Sequence, residues 1–282
     1  MRRVLILGGT AEARALAAEL AGLGVRVVSS LAGRVNNPRL PVGEVREGGF
    51  GGPEGLAAWL VKERIDLLVD ATHPFAERMT ASAIAAASAT GVPLLVLRRP
   101  GWREEPGDAW QRVGSLRAAA ELLATGAWPP GGHGLEQGSG RGLERGGGRA
   151  PEQVGGRGPG GVRVFLTTGR RSLPVFTPLP GVWLLARSVD PPEPPVPANV
   201  RVLLDRGPYT VEGELALIRE HRLDVLVTKD SGGRMTTAKL VAAREAGLPV
   251  IMVDRPPLPT GARLVDTVAA AVSWVQGYRR GV

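Results

Sequence analysis

Residues 4–13 read Val4-Leu5-Ile6-Leu7-Gly8-Gly9-Thr10-Ala11-Glu12-Ala13: four aliphatic side chains in a row, two glycines, a hydroxyl, then an alanine-rich helical pattern. A short unbroken aliphatic run fits a strand buried on both faces of a parallel sheet, and the glycines mark its turn into a helix. Glycines at such a turn let an anion approach the main chain. The start of the helix adds free N–H groups and the positive end of its dipole. Measured against G-x-G-x-x-G, Gly8 fills the first place and Ala13 the tolerated last one, while Thr10 replaces the middle glycine. The alternative is a tight strand-to-helix turn with no ligand.

The same alternation continues outward. Arg26–Ser29, Leu67–Asp70 and Leu94–Leu97 read as further strands, and Ala11–Leu23, Gly55–Glu63 and Glu77–Thr90 as the helices between them. The second half predicts strands near Arg163–Thr167, Val182–Ala186, Val200–Leu204, Asp224–Thr228 and Val250–Val253. The halves resemble each other. Ile65, Asp66, Leu68 and Val69 answer Leu223, Asp224, Leu226 and Val227, and both halves carry Gly-x-Pro before a strand that ends in Arg-Pro (Arg99-Pro100, Arg255-Pro256). So long a period indicates duplicated domains rather than a solenoid. The expected class is α/β, two doubly wound parallel-sheet domains with an interdomain cleft: residues 1–125 and 162–282, joined by 126–161.

The joining segment contains Pro129–Gly161, which has 14 glycines in 33 residues and too little apolar surface to offset its ordering entropy. It reads as a flexible linker or surface insertion, with RNA binding by its Arg-Gly pairs as the alternative. His133, inside it, is a poor catalytic candidate. The chain has 282 residues, 43% hydrophobic and 22% charged, as expected of a folded protein of one large or two ordinary domains. It has no cysteine, which excludes disulfides, thiolate metal sites and cysteine nucleophiles, and only three histidines, which argues against a multi-histidine metal site. The net charge of +8 comes almost entirely from arginine. The arginines are scattered and aromatic residues are 4% of the chain, so no nucleic acid is expected; a polyanionic small molecule fits the excess, as does simple replacement of lysine by arginine. The N-terminal apolar run is too short for a signal peptide and no stretch reads as a membrane span, so a cytoplasmic protein with no membrane partner is expected.

In open α/β sheets ligands sit beyond the carboxyl ends of the strands. The second strand runs on through Ser29, Ser30 and Leu31 to Gly33 and Arg34 without the acidic residue that would hold a ribose 2′-hydroxyl. A hydroxyl and an arginine there suit a 2′-phosphate instead, which predicts NADPH. Asp70-Ala71-Thr72-His73-Pro74-Phe75 follows the next strand. His73 can donate a proton or a hydrogen bond to substrate there, or cap the following helix. Asp70 reads as a capping or structural carboxylate. In the second half, Thr168-Gly169-Arg170-Arg171 replaces the glycine loop with two cations, suited to an acidic substrate group. Lys229-Asp230-Ser231-Gly232-Gly233 makes a plausible anion-binding turn, or an ordinary turn with a surface Lys–Asp pair. Arg206–Thr210 is a further candidate lining segment.

Taken together, LGGTAEARALA at the start, SLAGR at 30–34, GGFGG at 48–52, DATHPFA at 70–76, RSVDPPE at 187–193, RGPYT at 206–210 and TKDSGG at 228–233 resemble the precorrin-6A reductases of cobalamin biosynthesis. The resemblance spans nearly the whole chain except the glycine-rich segment. It implies two Rossmann-like domains, NADPH as hydride donor, and a tetrapyrrole substrate, precorrin-6A or its cobalt form, reduced to the 6B form. Carried over, Gly8, Gly9, Thr10 and Glu12 match the cofactor loop, and Ser30 and Arg34 the 2′-phosphate site. Thr72 and His73 fall near the nicotinamide and macrocycle, with His73 and Lys229 as catalytic candidates. Phe75, Arg170, Ser231, Gly232 and Gly233 fall on the substrate side. No metal is implied, and the chain is expected as a monomer or homodimer. Two alternatives stand beside this reading. One is another NADPH-dependent reductase or epimerase, although neither Tyr209 nor Tyr278 has a lysine four residues later. The other is a non-catalytic NADPH sensor.

Overall fold

The structure is a computed structural model that describes residues 2–33, 40–128 and 161–278. The first half runs β1 (Arg3–Leu7), α1 (Ala11–Gly22), β2 (Arg26–Leu31), β3 (Glu44–Glu47), α2 (Pro53–Lys62), β4 (Leu67–Asp70), α3 (Glu77–Thr90), β5 (Leu94–Leu97), β6 (Trp110–Val113) and α4 (Leu116–Thr125). The second half repeats the series: β7 (Val162–Leu166), α5 (Leu173–Phe176), β8 (Val182–Ser188), β9 (Val200–Leu204), α6 (Val211–Glu220), β10 (Val225–Lys229), α7 (Ala238–Glu245), β11 (Val250–Val253), β12 (Arg263–Val265) and α8 (Val268–Gly277).

The strands form two six-stranded sheets, ordered β12-β5-β4-β1-β2-β3 and β6-β11-β10-β7-β8-β9, and every neighbouring pair is parallel. The expected doubly wound α/β class is therefore what the chain adopts. The two orders become one when β1–β5 are matched with β7–β11, and the sixth strand of each sheet comes from the opposite half. β6 pairs with β11 and β12 pairs with β5. Each exchanged strand carries its helix along.

The chain accordingly divides into one unit of Met1–Trp102, Ser231–Gly233 and Arg255–Val282, and another of Arg103–Asp230 and Arg234–Asp254. These are not contiguous halves. β6 and α4 fall within residues 1–125 yet complete the second sheet, and β12 and α8 fall within 162–282 yet complete the first. The chain leaves the first unit after Trp102, just beyond Arg99-Pro100, rejoins it at Ser231–Gly233 and returns to it again at Arg255-Pro256. Pro129–Gly160, most of the expected linker, lies outside the described residues.

Alternate side chains of each strand enter opposite faces, and this explains the unbroken aliphatic runs. Val4, Ile6 and Val69 pack with Leu16 and Leu20 of α1 and Ala271, Trp274 and Val275 of α8. Leu5, Leu7, Val28 and Leu68 pack on the other face with Leu56 and Leu60 of α2 and Ala83 and Ala86 of α3. Each fully buried leucine contributes about 1.5–3 kcal/mol to this sandwich. The repeated aspartates have a matching role. Asp66 accepts the backbone N–H of Arg3 at 2.8 Å and Asp224 that of Arg163 at 2.7 Å, so each fastens the first residue of the sheet's central strand or the one beside it. Arg64 and Arg222, two residues earlier in each repeat, both have positive φ, 50° and 46°. Four helices start on a hydroxyl cap: Thr10, Ser115, Thr210 and Thr267 each accept the N–H three residues on.

Candidate functional site

In the first unit the loop after β1 is tied to both neighbouring strands. The Gly8 N–H donates to the Ser30 carbonyl at 2.9 Å. Thr10 Oγ1 caps α1 by accepting the Ala13 N–H at 3.1 Å and donates to the Ala71 carbonyl, just beyond β4, at 2.8 Å. A glycine at position 10 would lose both bonds, so the departure from the glycine pattern has a local cause. Gly9 has φ +110° and open space where a Cβ would stand. A side chain at Gly8 would make only ordinary contacts, the nearest 3.5 Å from Ala13 Cβ, so packing within the chain does not demand a glycine there. Two adjacent glycines, an open approach and the N–H groups of the first turn of α1 fit the phosphates of a dinucleotide.

Ser30, buried near the end of β2, pairs in register with Arg46 of β3. Arg46 lies against the Phe50 ring, 3.7 Å from its centroid. It donates to the carbonyls of Gly48 and Gly49, each at 2.7 Å, and reaches Ser30 Oγ at 3.4 Å. Burial lowers the pKa of its guanidinium. Arg34, the arginine expected beside Ser30, lies outside the described residues. Arg46 comes from an edge strand, Glu44–Glu47, that has no aliphatic run to mark it in the sequence; its signal there is the GGFGG segment that follows.

Beyond β4, Asp70 is buried and fully engaged. One oxygen accepts the Thr72 N–H (3.0 Å) and hydroxyl (2.7 Å), and the other accepts the Thr80 hydroxyl at 2.6 Å. It is a structural carboxylate that fixes the turn carrying Thr72 and His73. His73 is exposed, and its Nδ1 accepts the Phe75 N–H at 3.3 Å, which aims the imidazole and leaves Nε2 to carry the proton of the neutral ring. The rings of His73 and Phe75 lie 5.8 Å apart.

Glu12 forms an ion pair rather than pointing at the glycine loop. Its carboxylate accepts from Arg99 at 2.6 Å, and Arg99 Nε donates to the Ser231 carbonyl at 2.7 Å. Trp102 Nε1 donates to the Gly233 carbonyl, and Arg255 donates to the carbonyls of Arg99 and Pro100. The two glycines permit this packing. A Cβ on Gly232 (φ +61°) would stand 2.2 Å from the Pro100 carbonyl oxygen, and one on Gly233 (φ +86°) 3.0 Å from Arg99 Nε. Glu12, Ser231, Gly232 and Gly233 are thus brought together through Arg99, which sequence reading had noted only as half of a repeated dipeptide.

In the second unit Gly169 (φ +90°) leads into a single 3₁₀ turn, Arg170–Ser172, and Thr168 and Ser172 share a hydroxyl hydrogen bond of 2.5 Å. Arg170 donates to the Pro191 carbonyl at 3.0 Å and, with Arg171, Pro192 and Glu193, lines a cavity of about 360 Å³. Arg187, at the end of β8, is buried and paired with buried Glu214 of α6 at 2.6 Å, and its guanidinium covers the Tyr209 ring at 3.6 Å. Nearby Lys239 of α7 is buried as well. Burial, and then the charge of Arg187, push its pKa down to about 7 against a smaller opposing pull from Glu214. Lys229, at the end of β10, is half-buried and its pKa is lowered by burial, while Asp230 accepts from Arg112 at 2.8 Å. Arg187 and Tyr209 stand in the RSVDPPE and RGPYT segments, but Glu214 and Lys239 sit inside helices and gave no motif to read.

The description "Precorrin-6x reductase CbiJ/CobK" belongs to a family model that matches residues 3–276. The chain belongs to this family. Among its relatives, the precorrin-6A reductase of Rhodococcus erythropolis is 49% identical over 276 residues and that of Rhodobacter capsulatus 38% over 279, each covering at least 97% of both chains. The cobalt-precorrin-6A reductase of Priestia megaterium is 29% identical over 270 residues, 92% of each chain. A solved structure described as CobK precorrin-6A reductase superposes with a TM-score of 0.80 at 38% identity over the full length of both chains. The fold and the oxidoreductase class are those of the precorrin-6x reductases. Among the described residues no helix is long and apolar enough to cross a membrane.

Proposed function

We propose that the chain is an NADPH-dependent reductase of metal-free precorrin-6A, saturating one double bond of the macrocycle to give the 6B form in cobalamin biosynthesis. The observation that carries this reading is the family match over residues 3–276, joined to strand ends that gather a phosphate-compatible loop and positioned polar side chains. Relatives named for the metal-free substrate are 38–49% identical, against 28–29% for those named for the cobalt form, which favours the metal-free substrate.

NADPH, when bound, supplies the hydride. Gly8, Gly9 and Thr10 hold its diphosphate against the start of α1, and Ser30 and Arg34 receive the 2′-phosphate. Glu12 serves this site at one remove, by fixing Arg99. Thr72, locked by Asp70, and His73 lie at the next strand end; once His73 takes up a proton at Nδ1 in place of its bond to the Phe75 N–H, the imidazolium can deliver its Nε2 proton to the macrocycle as hydride is added, returning to the neutral ring. Phe75 sets the imidazole through its N–H and offers an aromatic surface to the macrocycle. Arg170, Lys229 and the main chain of Ser231–Gly233 provide positive charge and donors for the acetate and propionate groups of the tetrapyrrole. Positioning and exclusion of water supply most of the rate in such a transfer.

Anaerobic turnover with NADPH or NADH, on metal-free and cobalt-loaded precorrin-6A in parallel, tests the proposal. Preference for NADPH and the metal-free macrocycle is expected. Turnover of the cobalt form alone overturns the substrate assignment, and no turnover of either overturns the reductase reading.

A further inference from the structure

We infer that Arg46 is a specificity-determining residue of the cofactor site: its guanidinium, at the end of β3 beside Ser30, binds the 2′-phosphate and so selects NADPH over NADH. The inference rests on the NADPH reading above. It extends the 2′-phosphate site from the end of β2 to the neighbouring strand, β3.

Ser30 and Arg46 are direct partners in the β2–β3 register, so their side chains leave the same face at the carboxyl end of the sheet, where ligands of this architecture bind. Ser30 also accepts the Gly8 N–H through its carbonyl, so the hydroxyl, the guanidinium and the glycine loop are joined by consecutive contacts. Arg3, Arg99, Arg112, Arg187 and Arg244 are each paired with a carboxylate, whereas Arg46 has no carboxylate partner among the described residues. A guanidinium has five N–H donors, and the acceptors recorded for Arg46 are Gly48 O, Gly49 O and Ser30 Oγ. Its Nε–H and one N–H of its second amino group have no protein acceptor among the described residues. The 3.4 Å contact with Ser30 is long enough to yield to a stronger acceptor.

The residue is also held ready. Two carbonyls grip one edge of the guanidinium and the Phe50 ring supports its flat face, with Trp59 packed edge-on against Phe50 at 5.6 Å between centroids. A pre-placed cation loses little side-chain freedom when it binds an anion. Partial burial without a countercharge lowers its pKa, and a phosphate dianion is a ligand that supplies the missing charge.

Calorimetric titration of the full chain with NADPH and with NADH tests this, using wild type, Arg46→Met and Arg46→Gln. Loss of one charge-assisted contact predicts NADPH binding weakened about 10- to 100-fold in both variants, with NADH binding changed less than about 2-fold. Arg46→Gln keeps a polar, planar group over Phe50 and carries the test should the methionine variant not fold. Unchanged NADPH binding overturns the inference while the NADPH reading stands. Equal weakening of both nucleotides also overturns it, and leaves Arg46 only the role of holding the 48–50 turn. A wild type that binds the two nucleotides equally overturns the NADPH reading and this inference with it.

Discussion

Replacing Lys239 by methionine should remove a pH dependence of stability that the wild type carries. Lys239 is 4% exposed, and burial with the nearby Arg187 charge pushes its pKa down to about 7. In the unfolded chain the same lysine titrates near its ordinary value of about 10.4. Below pH 7 both states hold the proton, and the folded state bears the cost of burying the charge, offset in part by Glu214. Between pH 7 and about 10.4 the unfolded chain binds more protons than the folded one, so stability rises with pH across this window. Summed from pH 7 to pH 10, the linkage amounts to roughly 3–4 kcal/mol. Methionine preserves the volume of the stem and leaves the Arg187–Glu214 pair in place, so the variant should lose this rise and be at least as stable as wild type at pH 7. Urea unfolding of both proteins at four pH values between 7 and 10 gives the difference directly. Parallel curves would show that Lys239 keeps an ordinary pKa in the fold, and the buried cation described in the second unit would be wrong.

Other substitutions test the first unit. Gly232→Ala places a methyl group 2.2 Å from the Pro100 carbonyl oxygen at φ +61°, and should cost about 2 kcal/mol or more in thermal or chemical unfolding; an unchanged midpoint would contradict the packing described for Ser231–Gly233. Asp70→Asn keeps the size of a buried carboxylate that accepts from Thr72 and Thr80 but turns an acceptor into a donor; a loss of about 1–3 kcal/mol is expected, measured by urea unfolding, and an unchanged midpoint would deny Asp70 its structural role. His73→Ala should lower the single-turnover rate about 100-fold with little effect on NADPH affinity. An unaltered rate would remove His73 as proton donor.

Much of this was legible in the sequence because both faces of a parallel sheet are covered. Val4–Leu7, Leu67–Val69 and Val250–Val253 must be apolar throughout, and such runs announce themselves. The strands that went unread, Glu44–Glu47, Trp110–Val113 and Arg263–Val265, all lie at sheet edges and carry charged or half-exposed residues. Missing β6 and β12 concealed the exchange between halves, because repetition along a chain shows which segments are alike but not which sheet each one joins. Missing β3 concealed Arg46. Glu12 illustrates a different limit. Its place in the loop suggested the cofactor, but its carboxylate is committed to an arginine 87 positions away, a partner that no local pattern indicates.

The most direct test is a single anaerobic incubation of the purified chain with metal-free precorrin-6A and a limiting amount of NADPH. The reductase reading predicts that each NADPH oxidised yields one macrocycle heavier by two hydrogens, one delivered as hydride and one as proton. NADPH that binds but stays reduced in the presence of the macrocycle would contradict it.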